Sequence, residues 1–453
     1  MSDRSIRLGA GAGFAGDRID PAVELAEHAN LDYLIFESLG ERTVAAGQLR
    51  RLQDSTQGYD PLLVPRITEV IRPALASGTT VITNGGSANP LAGARAVAAA
   101  LEQIELPRAV RIAVVTGDDV AEAVRSYDPL IWETRQPVSE YPSELTSANA
   151  YLGIEAILPA LAENPDVVIT GRVADPSLYL APMVHEFGWP SDDYELLGRG
   201  TCLGHLLECA GQITGGYFAD PGTKPVPDLD RLGFPFADVA ADGSAVISKL
   251  AQAGGLVDER TCREQLLYEV HNPYAYLTPD VTADFSGVSF AEVGPDEVAV
   301  SGATGTERPL ELKVSLGFVG GYTGEGQISY AGPRAEDRAR LAADIVVARL
   351  MRVHGIAQED LTVELIGTGA SFRGSPGSHS GTHIPEVRLR VSGTFDTQQL
   401  AKAVGWEVES LYTNGPAGGG GARTGSSEVV SIRSASIPRE AVNHAVEVLE
   451  VPA

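Results

Sequence analysis

The chain has 453 residues and a formal net charge of -26, from 34 Lys and Arg against 60 Asp and Glu. An apolar fraction of 43% is enough to fill a core, which excludes disorder for the bulk of a chain of roughly two or three domains' length. The acidic balance argues against nucleic-acid and anionic-membrane partners, both of which need clustered Lys and Arg.

Cys202, Cys209 and Cys262 cannot build a disulfide scaffold, and no CxxC pair occurs. Reduced thiols and an intracellular setting are expected. Residues 1–6 are polar, so no secretory signal is expected. No run approaches the roughly 18 apolar residues of a membrane span. The expectation is a soluble, cytoplasmic protein.

In chain order, residues 6–8 form a short strand running into Gly9-Ala-Gly-Ala-Gly13. A helix follows at 21–28, with Asp20 as N-cap and Pro21 at its first position. Then come a buried strand at 31–36, helices at 44–52 and 62–76, a strand at 80–82, a helix at 91–102 and a strand at 112–115. Helix 154–162 leads into strand 166–170. Apolar strands separated by helices signal a parallel sheet covered on both faces. Residues 191–285 are expected to be mostly helical, with loops. Beyond 286 the texture changes, with strands at 298–300, 310–314, 386–391 and 429–432, helices at 335–353 and 397–411, and a long loop at 367–381. The expected class is α/β. An N-terminal domain, 1–285, holds a mostly parallel sheet with helices on both faces and carries the site. A smaller α+β domain, 286–453, follows.

Ligands of parallel sheets bind outside the carboxyl ends of the strands. That singles out residues 11–18, 37–41, 84–89, 117–119 and 172–175. The segment 201–216 is richest in reactive side chains. On a helix, Cys202, His205, Glu208, Cys209 and Gln212 fall within an arc of about 120°, with Leu203, Leu206, Leu207 and Ala210 on the adjoining apolar side. A His one turn from a carboxylate is a candidate general acid or base near neutral pH, and a thiol beside an imidazole can be activated. The plainer alternative makes the cysteines small core fillers and His205 a satisfied partner.

Thr170-Gly-Arg-Val-Ala-Asp175 follows a strand, where Arg172 could capture a carboxylate and Asp175 serve as a base; a structural Arg–Asp pair is the alternative. Thr83-Asn84-Gly-Gly-Ser-Ala-Asn89 joins a strand to a helix start, a setting for an anion or for a tight turn. Gly11-x-Gly13-x-x-Gly16, with Glu37 about 20 residues on, has the outline of a dinucleotide fingerprint. Asp17 and Arg18 stand at its mouth, and a carboxylate there would repel pyrophosphate, so nucleotide binding is not expected. The run Gly418, Gly419, Gly420 and Gly421 could cradle an anion or acyl chain, or mark a subunit contact. Lys249 is a candidate for a carboxylate or phosphate. His271 follows an apparent helix, where an interaction with the helix dipole is the simpler reading. His379 and His383 have zincin-like spacing but no Glu between them, so no metal site is expected.

Several of these segments occur together in one order. They are Gly11-x-Gly13-Phe14-x-Gly16-Asp17-Arg18, Thr83-Asn84-Gly-Gly, Ile169-Thr-Gly-Arg-Val, His185-Glu-Phe-Gly-Trp189 and Gly204-His-Leu-Leu-Glu-Cys209. Glu269-Val-His-Asn-Pro, Thr278-Pro-Asp280 and Thr413-Asn-Gly-Pro-Ala-Gly-Gly-Gly-Gly421 complete the set. Together they resemble the AtuA-like family, named for acyclic terpene utilisation. The resemblance implies a role in the catabolism of citronellol- and geraniol-type terpenoids as CoA thioesters, with a lyase- or hydratase-like step. Longer members carry a C-terminal ferredoxin-like domain, so a small companion protein is expected to supply it here. His271-Asn272-Pro273 stands where the pattern usually reads His-Asp-Pro, which weakens an acid role at that position.

The expected protein is thus an enzyme acting on a small carboxylated or CoA-linked acyl substrate, with no further cofactor. His205 would move a proton, oriented by Glu208, and Cys209 would be a second acid or an acyl acceptor. Arg172 would hold a carboxylate, Asn84 a carbonyl oxygen, and Asp17, Arg18, Gln212 and Lys249 would bind substrate. The rival readings are a non-catalytic acyl-binding subunit and a metal-dependent lyase or hydrolase. The glycine-rich contacts are compatible with a homo-oligomer.

Overall fold

The computed structural model describes residues 4–370 and 384–453, so His379 and His383 lie outside the described residues. The chain opens with β1 (Ser5–Ala12), α1 (Asp20–His28), β2 (Tyr33–Phe36), α2 (Glu41–Gln53), α3 (Leu63–Ser77), β3 (Thr80–Thr83), α4 (Pro90–Leu101) and β4 (Val110–Thr116). It continues through α5 (Ala121–Tyr127), β5 (Leu145–Ala150), α6 (Ile154–Ala162), β6 (Val167–Thr170), α7 (Ser177–Phe187) and α8 (Tyr194–Glu208). Then follow β7 (Pro235–Ala240), β8 (Ala245–Lys249), α9 (Glu259–Leu267), β9 (Tyr276–Leu277), β10 (Thr282–Asp284), β11 (Ser289–Gly294), β12 (Glu297–Ser301) and β13 (Thr304–Thr306). The last elements are β14 (Glu311–Ala331), α10 (Ala335–His354), β15 (Leu361–Ile366), β16 (Glu386–Phe395), α11 (Gln398–Glu409), α12 (Leu411–Asn414), β17 (Gly419–Pro438) and β18 (Ala445–Val451).

The main sheet is 10-stranded, in the order β11-β12-β8-β7-β1-β2-β3-β6-β4-β18. Its centre, β1-β2-β3-β6-β4, is parallel throughout. These strands are apolar on both faces; Leu34, Ile35, Val81, Ile82, Val114 and Val168 are all fully buried. The chain steps in one direction from β1 to β4, and right-handed crossovers place α1, α3 and α4 on one face. The return from β4 to β6 places α6 on the other. Packing follows this division, with α1 on α3 and α3 on α4, and α6 on α7 and α7 on α8.

Antiparallel strands flank this centre: β7 joins β1, and β18 joins β4. The expectation of a mostly helical 191–285 is therefore corrected. Phe236 to Val239 and Ala245 to Ser248 pair across an Asp242-Gly243 turn, with Gly243 in the left-handed region at φ 78°. An Asp-Gly pair between alternating strands is a strong hairpin signal. At α1 the N-cap is Ile19, and Asp20 is instead the first helical residue. The strands expected at 310–314 and 429–432 are parts of the much longer β14 and β17.

Packing divides the chain into two compact units, one up to Gly317 together with Ile432–Ala453, the other Phe318–Ser431. The expected boundary at 285/286 falls inside the first, because β11, β12 and β18 extend its sheet. In the second unit β15, β16, β14 and β17 form a sheet. Its core joins Ile328, Tyr330, Leu389 and Val391 from the strands to Ala339, Val346, Val404 and Val408 from α10 and α11. Among the described residues no helix is long and apolar enough to cross a membrane.

Candidate active site

A cavity of about 1110 Å³ opens in the first unit, at the carboxyl ends of β1, β2 and β6. Gly13, Phe14, Asp17 and Arg18 line it from β1, Glu37, Leu39, Gly40 and Glu41 from β2, and Arg172, Ala174 and Asp175 from β6. Three of the five strand-end segments singled out by sequence thus meet here. Residues 84–89 and 117–119 do not line it. The loop after β1 is pinned from behind by Arg66, which donates to Phe14 O at 3.1 Å and Ala15 O at 2.9 Å and pairs with Asp60 at 2.7 Å. Asp17 accepts from Gly13 N at 2.9 Å. That backbone N–H is therefore already used within the loop. A Cβ on Gly13 would lie 2.4 Å from the carbonyl carbon of Cys209, so only glycine lets β1 approach the end of α8 so closely.

α8 starts at a side-chain cap, Asp193 accepting from Leu196 N at 3.1 Å, and ends at Glu208. Cys209 and Gln212 therefore do not continue its helical face. They reach the cavity through a 3-10 turn in which Ala210 holds φ 42°, a strained value for a residue with a Cβ. His205 is 1% exposed and does not line the cavity. Its Nε2 donates to the Leu266 carbonyl at 3.2 Å, because a carbonyl can only accept, and its Nδ1 shares a proton with Glu208 Oε1 at 2.8 Å. Phe285 stacks on the ring at 5.6 Å, and Tyr276 packs against it, tilted by 47°, at 5.3 Å. Burial works against a charged imidazole, but the Glu208 hydrogen bond and charge outweigh it, and His205 titrates above its ordinary value. Burial likewise pushes Glu208 up, against the pull of His205. The expected roles are thus reversed in space. Glu208 faces the cavity, with Oε2 buried and unpartnered, and His205 stands behind it.

The second cluster surrounds Arg172. Its backbone N donates to Asp118 Oδ2 at 2.9 Å, and its guanidinium donates to the Leu39 carbonyl. Nη1 lies 3.4 Å from Asp175 Oδ1, an atom that accepts no hydrogen bond. The guanidinium covers Tyr151 at 4.1 Å, and Lys313 approaches the same ring at 4.6 Å. Lys313 also reaches Glu41 at 3.0 Å. Burial pushes Asp175 up to about 7, opposed by Arg172 and assisted by the charges of Glu208 and Glu41. Glu41, by contrast, is held down to about 2: its burial is overcome by Tyr151, Arg172 and Lys313. One cavity therefore holds carboxyl groups driven in opposite directions, the arrangement that separates acid from base.

Residues 6–448 match the family model described as Acyclic terpene utilisation family protein AtuA. The chain belongs to the AtuA family. Membership carries a role in acyclic terpene utilisation. No curated protein and no solved structure was found to match the chain.

Of the other expected site residues of this AtuA-family protein, Cys209 lines the cavity, and Asn84, Lys249 and the glycine run do not. Asn84 is fully buried, does not line the cavity, donates to Glu37 Oε1 at 3.1 Å and accepts from Ser38 N at 2.8 Å, so it positions Glu37. Lys249 is buried against Asp296 at 3.1 Å, Ala253 O at 2.9 Å and Leu250 O at 3.5 Å, and does not line the cavity. Gly418 to Gly421 belong to the second unit. Cys202 is a core residue, its thiol pushed up to about 12 by burial. Burial and the Glu208 charge also raise Cys209, which keeps it a thiol and argues against an acyl acceptor. His271 is exposed and does not line the cavity. Among the described residues no three His, Cys, Asp or Glu side chains are grouped to hold a metal ion.

Sequence reasoning passed over Glu41, Tyr151, Lys313 and Tyr276. Glu41 lies in a segment flagged for its strand end. Tyr151 follows a strand of small residues, Leu145-Thr-Ser-Ala-Asn-Ala150, whose periodicity is too weak to read. Around the mouth stand large apolar side chains, Phe14, Trp132, Tyr217, Leu229 and Leu277, all substantially exposed.

Proposed function

We propose that this AtuA-family protein is a lyase- or hydratase-like enzyme that adds water to, or removes it from, an acyl substrate carried as a CoA thioester. One observation carries the reading. Asp175 Oδ1 and Glu208 Oε2 are buried, lack hydrogen-bond partners and belong to residues lining one cavity, beneath an apolar rim. The rim suits a hydrocarbon chain, and two carboxyls in one cavity, of which Glu208 alone is hydrogen-bonded to His205, suit proton transfer at adjacent carbons.

In hydration of a 2-enoyl thioester, the Glu208 carboxylate takes a proton from water as the water oxygen bonds to the β-carbon. Asp175 gives its proton to the α-carbon, and the double bond becomes single. Dehydration is the same path reversed. His205 is a positioning residue: it anchors Oε1 of Glu208 and leaves Oε2 to the water. Asp175→Asn and Glu208→Gln are each expected to lower turnover of branched medium-chain 2-enoyl-CoA thioesters by about 10²–10⁴-fold. Unchanged turnover in both would refute the assignment. Thioester binding with turnover only after addition of a small ferredoxin-like protein would make the chain the acyl-binding subunit instead.

A further inference from the structure

Glu37 closes β2 and lines the same cavity, at 7% exposure. Its Oε1 accepts two hydrogen bonds, from Leu39 N at 2.6 Å and from Asn84 Nδ2 at 3.1 Å. The orientation of Asn84 is fixed independently, because its Oδ1 accepts from Ser38 N. Two donors on one oxygen make Oε1 the carbonyl-type oxygen of the group and leave Oε2 as the atom that carries any proton. The charged groups acting on Glu37 are Asp175, which disfavours its anion, and Arg172, which favours it; Arg66 also feels its charge. Burial and Asp175 prevail over Arg172 and over the Leu39 and Asn84 hydrogen bonds, which favour the anion, and the carboxyl is held well above the usual carboxylate range. A carboxyl kept neutral is an O–H donor, and one facing a reaction cavity can bind an oxygen on which negative charge collects.

We propose that Glu37 is a carboxylic-acid hydrogen-bond donor to the acyl carbonyl oxygen of the substrate. Charge gathers on that oxygen as water adds to the β-carbon and leaves it as the α-carbon takes its proton. Glu37 keeps its own proton throughout. This rests on the acyl reading above, and it adds a third carboxyl whose task is neither acid nor base.

Two variants test it. Glu37→Gln keeps a carbonyl for Leu39 and Asn84 and an N–H donor for the cavity. Glu37→Leu keeps volume and removes the donor. The probe is a saturated, branched medium-chain acyl-CoA carrying carbon-13 at the thioester carbonyl, which cannot be hydrated. Infrared difference spectra at neutral pH are expected to show a protonated-carboxyl band lost in both variants. The carbonyl stretch of the bound probe should be lowered in the parent and in Glu37→Gln, and not in Glu37→Leu. Turnover of the matching 2-enoyl-CoA should stay within about tenfold in Glu37→Gln and fall about 10²–10³-fold in Glu37→Leu. A missing carboxyl band, a probe that does not bind, or a carbonyl stretch unchanged in Glu37→Leu overturns the proposal. So does loss of turnover in Glu37→Gln as large as that expected for Glu37→Leu, a comparison that stands even if the leucine variant fails to fold. A lowered stretch without turnover by the parent leaves Glu37 in its role and defeats the hydration reading alone.

Discussion

Replacing His205 by leucine separates a buried ion pair from a packing residue. Side-chain exposures in the pair are 2% for His205 and 11% for Glu208, and the two meet at 2.8 Å. Leucine fills much of the space between Tyr276 and Phe285 but leaves both Glu208 oxygens without a donor. Removing one partner of a buried pair costs about 3–5 kcal/mol, mostly through the charge left behind. The Leu266 carbonyl also loses its donor, at about 1–3 kcal/mol. In the double variant His205→Leu with Glu208→Leu the stranded charge is gone and only the carbonyl deficit remains. The double variant is therefore expected to be more stable than His205→Leu by about 2 kcal/mol, although it carries more substitutions. The pH dependence has a definite sign. In His205→Leu the folded Glu208 titrates still higher above its unfolded value of roughly 4.3, so stability is lost as pH rises through that interval. Equilibrium urea unfolding at about pH 5 and about pH 8 should show a small deficit at the lower pH and the full one at the higher. A double variant less stable than the single, or a deficit larger in acid, would show that Glu208 is not a charge held by His205.

Asp175 as the proton donor predicts that kcat/KM declines as pH rises through about 7, since the donor is then ionised, and that Asp175→Asn removes this limb together with most of the rate; a pH profile checks both. Gly13→Ala places a Cβ 2.4 Å from the Cys209 backbone, and overpacking of that kind should cost about 1–3 kcal/mol by urea unfolding and lower activity with it, because the loop at 13–18 must move. Asp280 accepts from Ser177 and from Ile154 N at 2.8 Å, yet burial lifts it to about 6. Its folded value exceeds its unfolded one, so it contributes stability at low pH that is lost between about pH 4 and 6. Asp280→Asn should flatten that part of a Tm-against-pH curve, and an unchanged slope would place the titration elsewhere.

Much of the first unit was legible in the chain. The strands expected at 31–36, 80–82, 112–115 and 166–170 hold unbroken apolar stretches at 33–36, 81–82, 112–115 and 167–169, because a strand buried on both faces has no polar side to interrupt it. Their helices carry 3.6-residue periodicity, and the residues after three of the strand ends do line the cavity. The hairpin β7–β8 departs from the helical expectation, although Asp242-Gly243 marks its turn. The strands have six and five residues, and so short an alternation is a weak signal until the neighbouring β1 supplies a partner.

Within 201–216, chain position brought His205 and Glu208 together, since residues three apart share a helix face. It did not say which of them meets the substrate. That depended on where α8 ends and on the Leu266 carbonyl, 61 residues away, which takes the outer ring nitrogen. Asn84, Lys249 and Arg172 carry the right chemistry for ligand binding, yet the folded chain occupies most of their hydrogen bonds itself.

By itself, then, the order of residues determined the family, the parallel sheet and the short-range pairings, because those depend on periodicity and on neighbours within a turn or two. Which carboxyls are neutral, which face the cavity and which serve only to hold others was decided by tertiary packing. Protonation and reach depend on burial, on charges brought in from distant segments and on hydrogen bonds already spent, and none of these is a property of a residue's own neighbourhood in the chain.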